Sequence, residues 1–216
     1  MTAQGPGARA ARAALGRGAA TFDRAYFDKW YRDPRTRVRT PGERERQVRF
    51  ALAAAEQFLE RPVRTVLDVG AGEGHWQPVL QKLRPAIRYT GVDVSEHAVR
   101  RHGAGRNIRL GSIEDLGTMR LGDDFDLVLC VGMLYYLTPG QFTRGVTQLH
   151  DRCAGMAYLE IFAREDALTG DVPAGTMRPA AWFRAAMRAA RWLPLGMHCW
   201  TPTAMRRQAA VMELGW

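Results

Sequence analysis

Apolar positions along the chain keep two rhythms that take turns. Short, nearly continuous apolar runs at Arg64 to Val69, Arg88 to Val94, Asn107 to Leu110, Phe125 to Val131 and Gly155 to Phe162 predict strands buried on both faces. Between them, Trp76 to Leu83, Glu96 to His102 and Gln141 to Cys153 repeat their apolar residues at helical spacing, as a helix with one buried side does. An earlier helix is predicted over Glu43 to Glu60, where Val48, Leu52, Ala55 and Leu59 share a face. This alternation predicts an α/β fold, a Rossmann-like doubly wound and mostly parallel sheet with helices on both faces.

Past Phe162 the pattern loosens. A polar loop leads to a helix through Trp182, Phe183, Ala186 and Ala190, an apolar stretch from Leu193 to Trp200, and a last segment, Thr203 to Trp216, that reads as helix; no closing hairpin of strands stands out. At the other end, residues 1–22 hold no acidic side chain, and Gly5-Pro6-Gly7 and Gly16-Arg17-Gly18 break any helix, so a disordered basic tail is expected. Residues 23–216 read as one domain: a lid and helix over 23–62, a ligand-binding core over 63–162 and a substrate-side region over 163–216.

Composition narrows the class. At 216 residues one core suffices, and no apolar run approaches the ~18 to 20 residues that span a bilayer, so a cytoplasmic protein with no membrane partner is expected. The three cysteines, Cys130, Cys153 and Cys199, are odd in number and form no CxxC pair, which argues against a disulfide framework and against a metal site. A net charge of +9 suggests an anionic partner such as nucleic acid. Among the 31 basic residues only Lys29 and Lys82 are lysine, however, and the arginine, alanine and glycine content matches a GC-rich gene as well as it matches a nucleic-acid surface.

The chemistry gathers where strands end. In Val66-Leu67-Asp68-Val69-Gly70-Ala71-Gly72-Glu73-Gly74, glycines at alternate positions let a strand turn tightly into a helix and let a ligand lie against bare backbone. The third glycine comes one residue earlier than in the dinucleotide pattern G-x-G-x-x-G, and Asp68 adds negative charge, so a nucleoside with a cationic group suits the loop better than a diphosphate. About twenty residues on, Gly91-Val92-Asp93-Val94 closes the next strand with an acid that can take both hydroxyls of a ribose, although an acid there can also cap a helix. Ser112, Ile113 and Glu114 follow the third strand, where an apolar side chain can cover an adenine and an acid can accept from its amine. Cys130 and Val131 end the fourth strand, beside the glycine loop.

In combination these motifs resemble the class I S-adenosylmethionine-dependent methyltransferases: D-x-G-x-G-x-G after the first strand, an acid closing the second, the pair Glu114-Asp115 after the third, and Phe125-Asp126-Leu127-Val128 as an F-D-x-V fourth strand. The resemblance covers about residues 45–162. It implies a seven-stranded sheet with the cofactor S-adenosyl-L-methionine across its carboxyl edge, against Asp68, Gly70, Ala71, Gly72, Gly74, Asp93, Val94, Ser112, Ile113, Glu114, Cys130 and Val131. Upstream, Trp30-Tyr31-Arg32-Asp33-Pro34-Arg35-Thr36-Arg37 is similar to the N-terminal stretch of glycine N-methyltransferase-like enzymes. That likeness makes Arg37 the partner of the cofactor's carboxylate and Phe27 or Trp30 its lid.

Methyl transfer from a sulfonium is an in-line displacement, so alignment matters most and a base is needed only where the acceptor holds its proton tightly. Tyr135 and Tyr136, after the fourth strand, and Glu160, in the otherwise apolar Tyr158 to Phe162, are the candidate catalytic residues. A tyrosine with its reference pKa of ~10 is a poor base at neutral pH, and Glu160 has a competing role as the partner of an arginine. The run D/N-P-P-Y/F of base-modifying enzymes and a Pro-Cys nucleophile are both missing here. A small-molecule acceptor of nitrogen or oxygen methylation is therefore expected, with an RNA-associated or non-catalytic cofactor-binding protein as the alternative. The glycine spacing disfavours a nicotinamide or flavin oxidoreductase.

Overall fold

The computed structural model describes residues 22–122, 124–166 and 177–214. The strands are β1 (Thr65–Val69), β2 (Arg88–Asp93), β3 (Ile108–Leu110), β4 (Phe125–Cys130), β5 (Cys153–Leu159), β6 (Trp192–Gly196) and β7 (Cys199–Pro202). They form one seven-stranded sheet in the order β3-β2-β1-β4-β5-β7-β6. Neighbours among β1 to β5 run parallel, and β7 runs antiparallel to both β5 and β6. The order reverses between β1 and β4, so the loops after these two strands diverge and open a crevice at the carboxyl edge.

The helices are α1 (Arg24–Phe27), which continues into a π-turn over Asp28–Arg32, then α2 (Pro41–Leu59), α3 (Trp76–Leu83), α4 (Glu96–Arg106), α5 (Pro139–Asp151) and α6 (Ala180–Ala189). Alternation along β4 divides the core. Leu127 and Leu129 pack with Val48, Leu52 and Leu80 of α2 and α3, whereas Val128 and Cys130 pack with Phe142, Val146 and Phe183 of α5 and α6. Both faces are covered by helices, as a sheet with apolar strands requires. Helix α2 starts two residues before its expected position because Thr40 and Glu43 form a capping box, the Thr40 N–H donating to Glu43 at 2.7 Å, with Pro41 in the first turn.

The C-terminal region departs from the expected pattern in two places. The apolar stretch from Leu193 to Trp200 is the hairpin β6–β7, which the sequence does not announce. Its two-residue turn is Met197-His198, with φ of 49° and 64°, a left-handed pair for which Asn-Gly is the usual signature. The helix expected from Thr203 onward is instead two 3₁₀ turns, Thr203–Gln208 and Val211–Leu214. Val211 and Met212 are exposed, and a short helix that buries neither is marginal. The expected tail falls on residues 1–21, outside the described residues; Phe22, also assigned to it, is part of the fold and accepts a hydrogen bond on its carbonyl from the Ser95 hydroxyl at 2.5 Å. Among the described residues no helix is long and apolar enough to cross a membrane.

Candidate functional site

The loop after β1 carries Gly70, Gly72 and Gly74 at φ of 76°, 55° and 69°. A Cβ would meet Met133 Cγ at 2.7 Å from Gly70, the Tyr31 hydroxyl at 2.9 Å from Gly72, and Ile108 Cδ1 at 2.8 Å from Gly74. Dihedral and space thus both select glycine. The loop is tied to β2 through Asp93, whose Oδ2 accepts from the Gly72 N–H at 2.6 Å and whose Oδ1 accepts from the Ser95 N–H at 2.7 Å. The cap of α4 is Ser95, which accepts from the Ala98 N–H at 3.0 Å; Asp93 is left to face the cleft. Burial raises the Asp93 carboxyl pKa, opposed by these two backbone donors. Asp68 is also buried. Burial lifts its pKa to about 7 although the Tyr89 hydroxyl donates to it at 2.7 Å.

Two lobes of one cleft meet over this loop. The first encloses about 800 Å³, part of it open to solvent, between Asp93, Val94, Ser112, Ile113 and Glu114 on one side and the lid aromatics Phe22, Tyr26, Phe27 and Tyr31 on the other. Among the described residues its lining includes carboxylates but no lysine or arginine. Glu114 is held at the rim by Arg144 and by Gln141, whose Nε2 donates at 3.2 Å. The second lobe, about 710 Å³, is lined by Trp30, Arg39, Arg44, Gln47, Asp68, Ala71, Trp76 and Tyr135 among others. Gly70, Val131, Gly132 and Tyr136, with Tyr26 and Tyr31 of the lid, belong to both lobes, so the wall between them is made by the ends of β1 and β4 and by the lid.

The candidate catalytic residues gather at that wall. Gly132 has φ of 69°, and a Cβ there would stand 3.9 Å from both Glu160 Oε2 and the Tyr135 hydroxyl. The Tyr136 hydroxyl lies 3.2 Å from that of Tyr26, joining the turn after β4 to the lid. Glu160 is 3% exposed and forms the arginine pair that competed with a catalytic role: its Oε1 accepts from Arg39 and, at 3.0 Å, from Gln47 Nε2. Its other oxygen is the one turned toward Gly132.

Three expected site residues sit elsewhere. Arg37 lines neither lobe; its backbone N–H closes a turn onto the Asp33 carbonyl at 2.8 Å, and the arginines of the second lobe are Arg39 and Arg44. Cys130 is fully buried in the core, where burial raises its thiol pKa well above the ordinary value. Gly74 packs under Ile108 and Arg106 rather than against the cleft. Phe22, Tyr26 and Tyr31 went unnoticed in the sequence, although Phe22, Tyr26, Phe27, Trp30 and Tyr31 recur at helical spacing. Also unforeseen is Glu73, 1% exposed between two of the glycines, which accepts from Arg32 at 2.5 Å and lies 3.1 Å from His75. Burial alone would raise its pKa; His75 and Arg32 bring it down to about 2.

A family model described as "Methyltransferase domain" matches residues 66–154. This part of the chain is similar to that domain. The domain runs from β1 into β5 and contains the glycine loop, Asp93 and the wall at Gly132, while the lid, α2 and the C-terminal hairpin lie outside it. An uncharacterized protein of Synechococcus sp. is 29% identical to the chain over 120 residues, 52% of this chain and 28% of that protein, so the chain spans less than a third of this relative's length. In fold the chain is similar to magnesium protoporphyrin IX methyltransferase from Synechocystis with bound SAM, at 17% identity, 89% coverage of each chain and a TM-score of 0.57. It is similar, too, to a sugar N-methyltransferase from Streptoalloteichus sp., at 18% identity, 67% of this chain, 78% of that one and a TM-score of 0.55. At such identities the likeness is one of fold.

Proposed function

We propose that the chain transfers a methyl group from S-adenosyl-L-methionine to nitrogen or oxygen of a small molecule. The observation that carries this reading is the pairing of the buried Asp93 with the Gly72 N–H at the floor of a lobe that, among the described residues, is lined by no lysine or arginine. Each Asp93 oxygen spends one lone pair on a backbone donor and keeps another for a ribose hydroxyl. Ile113, Val94 and Leu137 give an adenine an apolar slot, and Glu114 and Gln141 stand at its polar rim. A dinucleotide would bring a diphosphate into a lobe lined by carboxylates, an arrangement that repels it.

In the second lobe Arg44 is half-buried and has no carboxylate within ion-pair distance among the described residues. Burial lowers its pKa, its guanidinium stands 5.8 Å from the centre of the Tyr31 ring, and because it lines the lobe it suits the donor's carboxylate better than Arg37 does. When bound, the donor supplies an electrophilic methyl group on a sulfonium. The chain's own part is to align the acceptor: Tyr135 and Tyr136 flank the wall, and Glu160, which lines neither lobe, holds Arg39 and Gln47 from behind it with Oε2 turned toward Gly132. Calorimetric titration tests the reading, with S-adenosylhomocysteine expected to bind and NAD expected not to; binding of NAD alone would overturn it.

A further inference from the structure

The second lobe has walls that the donor does not explain. Five of its lining residues are aromatic beyond the lid's Tyr26: Trp30 and Tyr31 from the lid, Trp76 at the start of α3, and Tyr135 and Tyr136 after β4, the last two with ring centroids 4.7 Å apart. Such rings favour a flat partner. Aromatic walls also attract ammonium groups, but here the charges decide against one. Arg39 and Arg44 both line the lobe, its carboxylate Asp68 is engaged by Tyr89, and Glu160 behind it by Arg39 and Gln47. Trp30 already carries the Lys29 ammonium 4.3 Å from its ring centre. Arg39 meets Glu160 through Nη2, and Nε and Nη1 have no partner among the described residues, leaving part of a fork suited to an acidic oxygen group.

We propose, building on the reading of this cleft as a methyltransferase site, that the acceptor is a planar aromatic molecule bearing an acidic oxygen group, and not an aliphatic amine. Trp30, Tyr135 and Tyr136 pack on its ring, and Arg39 meets its acidic group. Glu160 holds Arg39 in place, acting on this contact as a positioning residue.

The test titrates the full chain, saturated with S-adenosylhomocysteine, with 4-hydroxybenzoate, cyclohexanecarboxylate and cyclohexylamine. The aromatic acid is expected to bind at least tenfold more tightly than either saturated ring. Trp30→Ala should erase most of the preference over cyclohexanecarboxylate, and Arg39→Gln should weaken 4-hydroxybenzoate by a larger factor than phenol. Arg39→Lys, which keeps the charge toward Glu160 but loses the fork, should fall between. Cyclohexylamine binding as tightly as the aromatic acid, or no binding of that acid at millimolar concentration, would overturn the acceptor class while leaving the donor reading intact. Failure of S-adenosylhomocysteine itself to bind would overturn both.

Discussion

Asp68 and Asp93 are both buried at the floor of the cleft, yet they answer to pH differently because their donors differ. Asp93 accepts two backbone N–H groups, while Asp68 has the Tyr89 hydroxyl and a pKa of about 7. Asp68 therefore holds its proton in the folded chain over a range in which the unfolded chain, at the ordinary 3.8, has lost it. Stability from this group falls as pH rises from 3.8 to about 7 and is level above that. A sulfonium beside Asp68 needs the carboxylate, so the affinity for S-adenosylmethionine should weaken below pH 7, by up to about tenfold per unit, and that for the uncharged thioether of S-adenosylhomocysteine should weaken less. Titrations from pH 5.5 to 8 on the wild type and Asp68→Asn check this: the variant's profile should be flatter. The glycines and Asp93 were legible in the sequence because backbone freedom and strand-end acids leave spacing behind. Arg44 and Gln47 were not, since a polar residue on a helix reads the same whether it faces water or a cleft.

At the scale of elements, the lid stays down through contacts that join three parts of the chain. Arg32 of the π-turn reaches Glu73 in the glycine loop, Tyr26 reaches Tyr136, and Phe22 is bonded through its carbonyl to Ser95. Glu73 has its pKa lowered to about 2, so its contribution is fully present above the ordinary 4.5 and is lost as pH falls toward 2. The latch is thus unaffected near neutrality. Arg32→Ala should weaken S-adenosylhomocysteine binding about fivefold, matching ~1 kcal/mol for a partly exposed pair, and speed hydrogen exchange over residues 22–38. Equal exchange in the two proteins would remove Arg32 from the latch. The core elements could be read from sequence because their apolar period is regular. The lid helix and the β6–β7 hairpin could not: one depends on tertiary aromatic contacts, and the other turns on a Met-His pair that has no turn chemistry of its own.

Across the whole molecule, opposite edges of the sheet divide the work. Asp126, part of the F-D-x-V run, lies at the amino edge, far along β4 from Gly132, where its carboxylate accepts from Arg61 at 2.6 Å and from the Arg64 N–H at 2.7 Å. It staples β4 to the start of β1. Asp126→Ala should cost about 2–4 kcal/mol in urea denaturation, because three donors, Arg61 and the Arg64 and Thr65 N–H groups, lose a buried charged acceptor, with ligand affinity of the folded fraction unchanged. A stable variant with weakened binding would contradict this division. The carboxyl edge carries a different consequence. Tyr31 stands in both lobes with its hydroxyl pressed over Gly72. A ligand in either compartment rests against the same phenol, so replacing Tyr31 would be felt in both compartments at once.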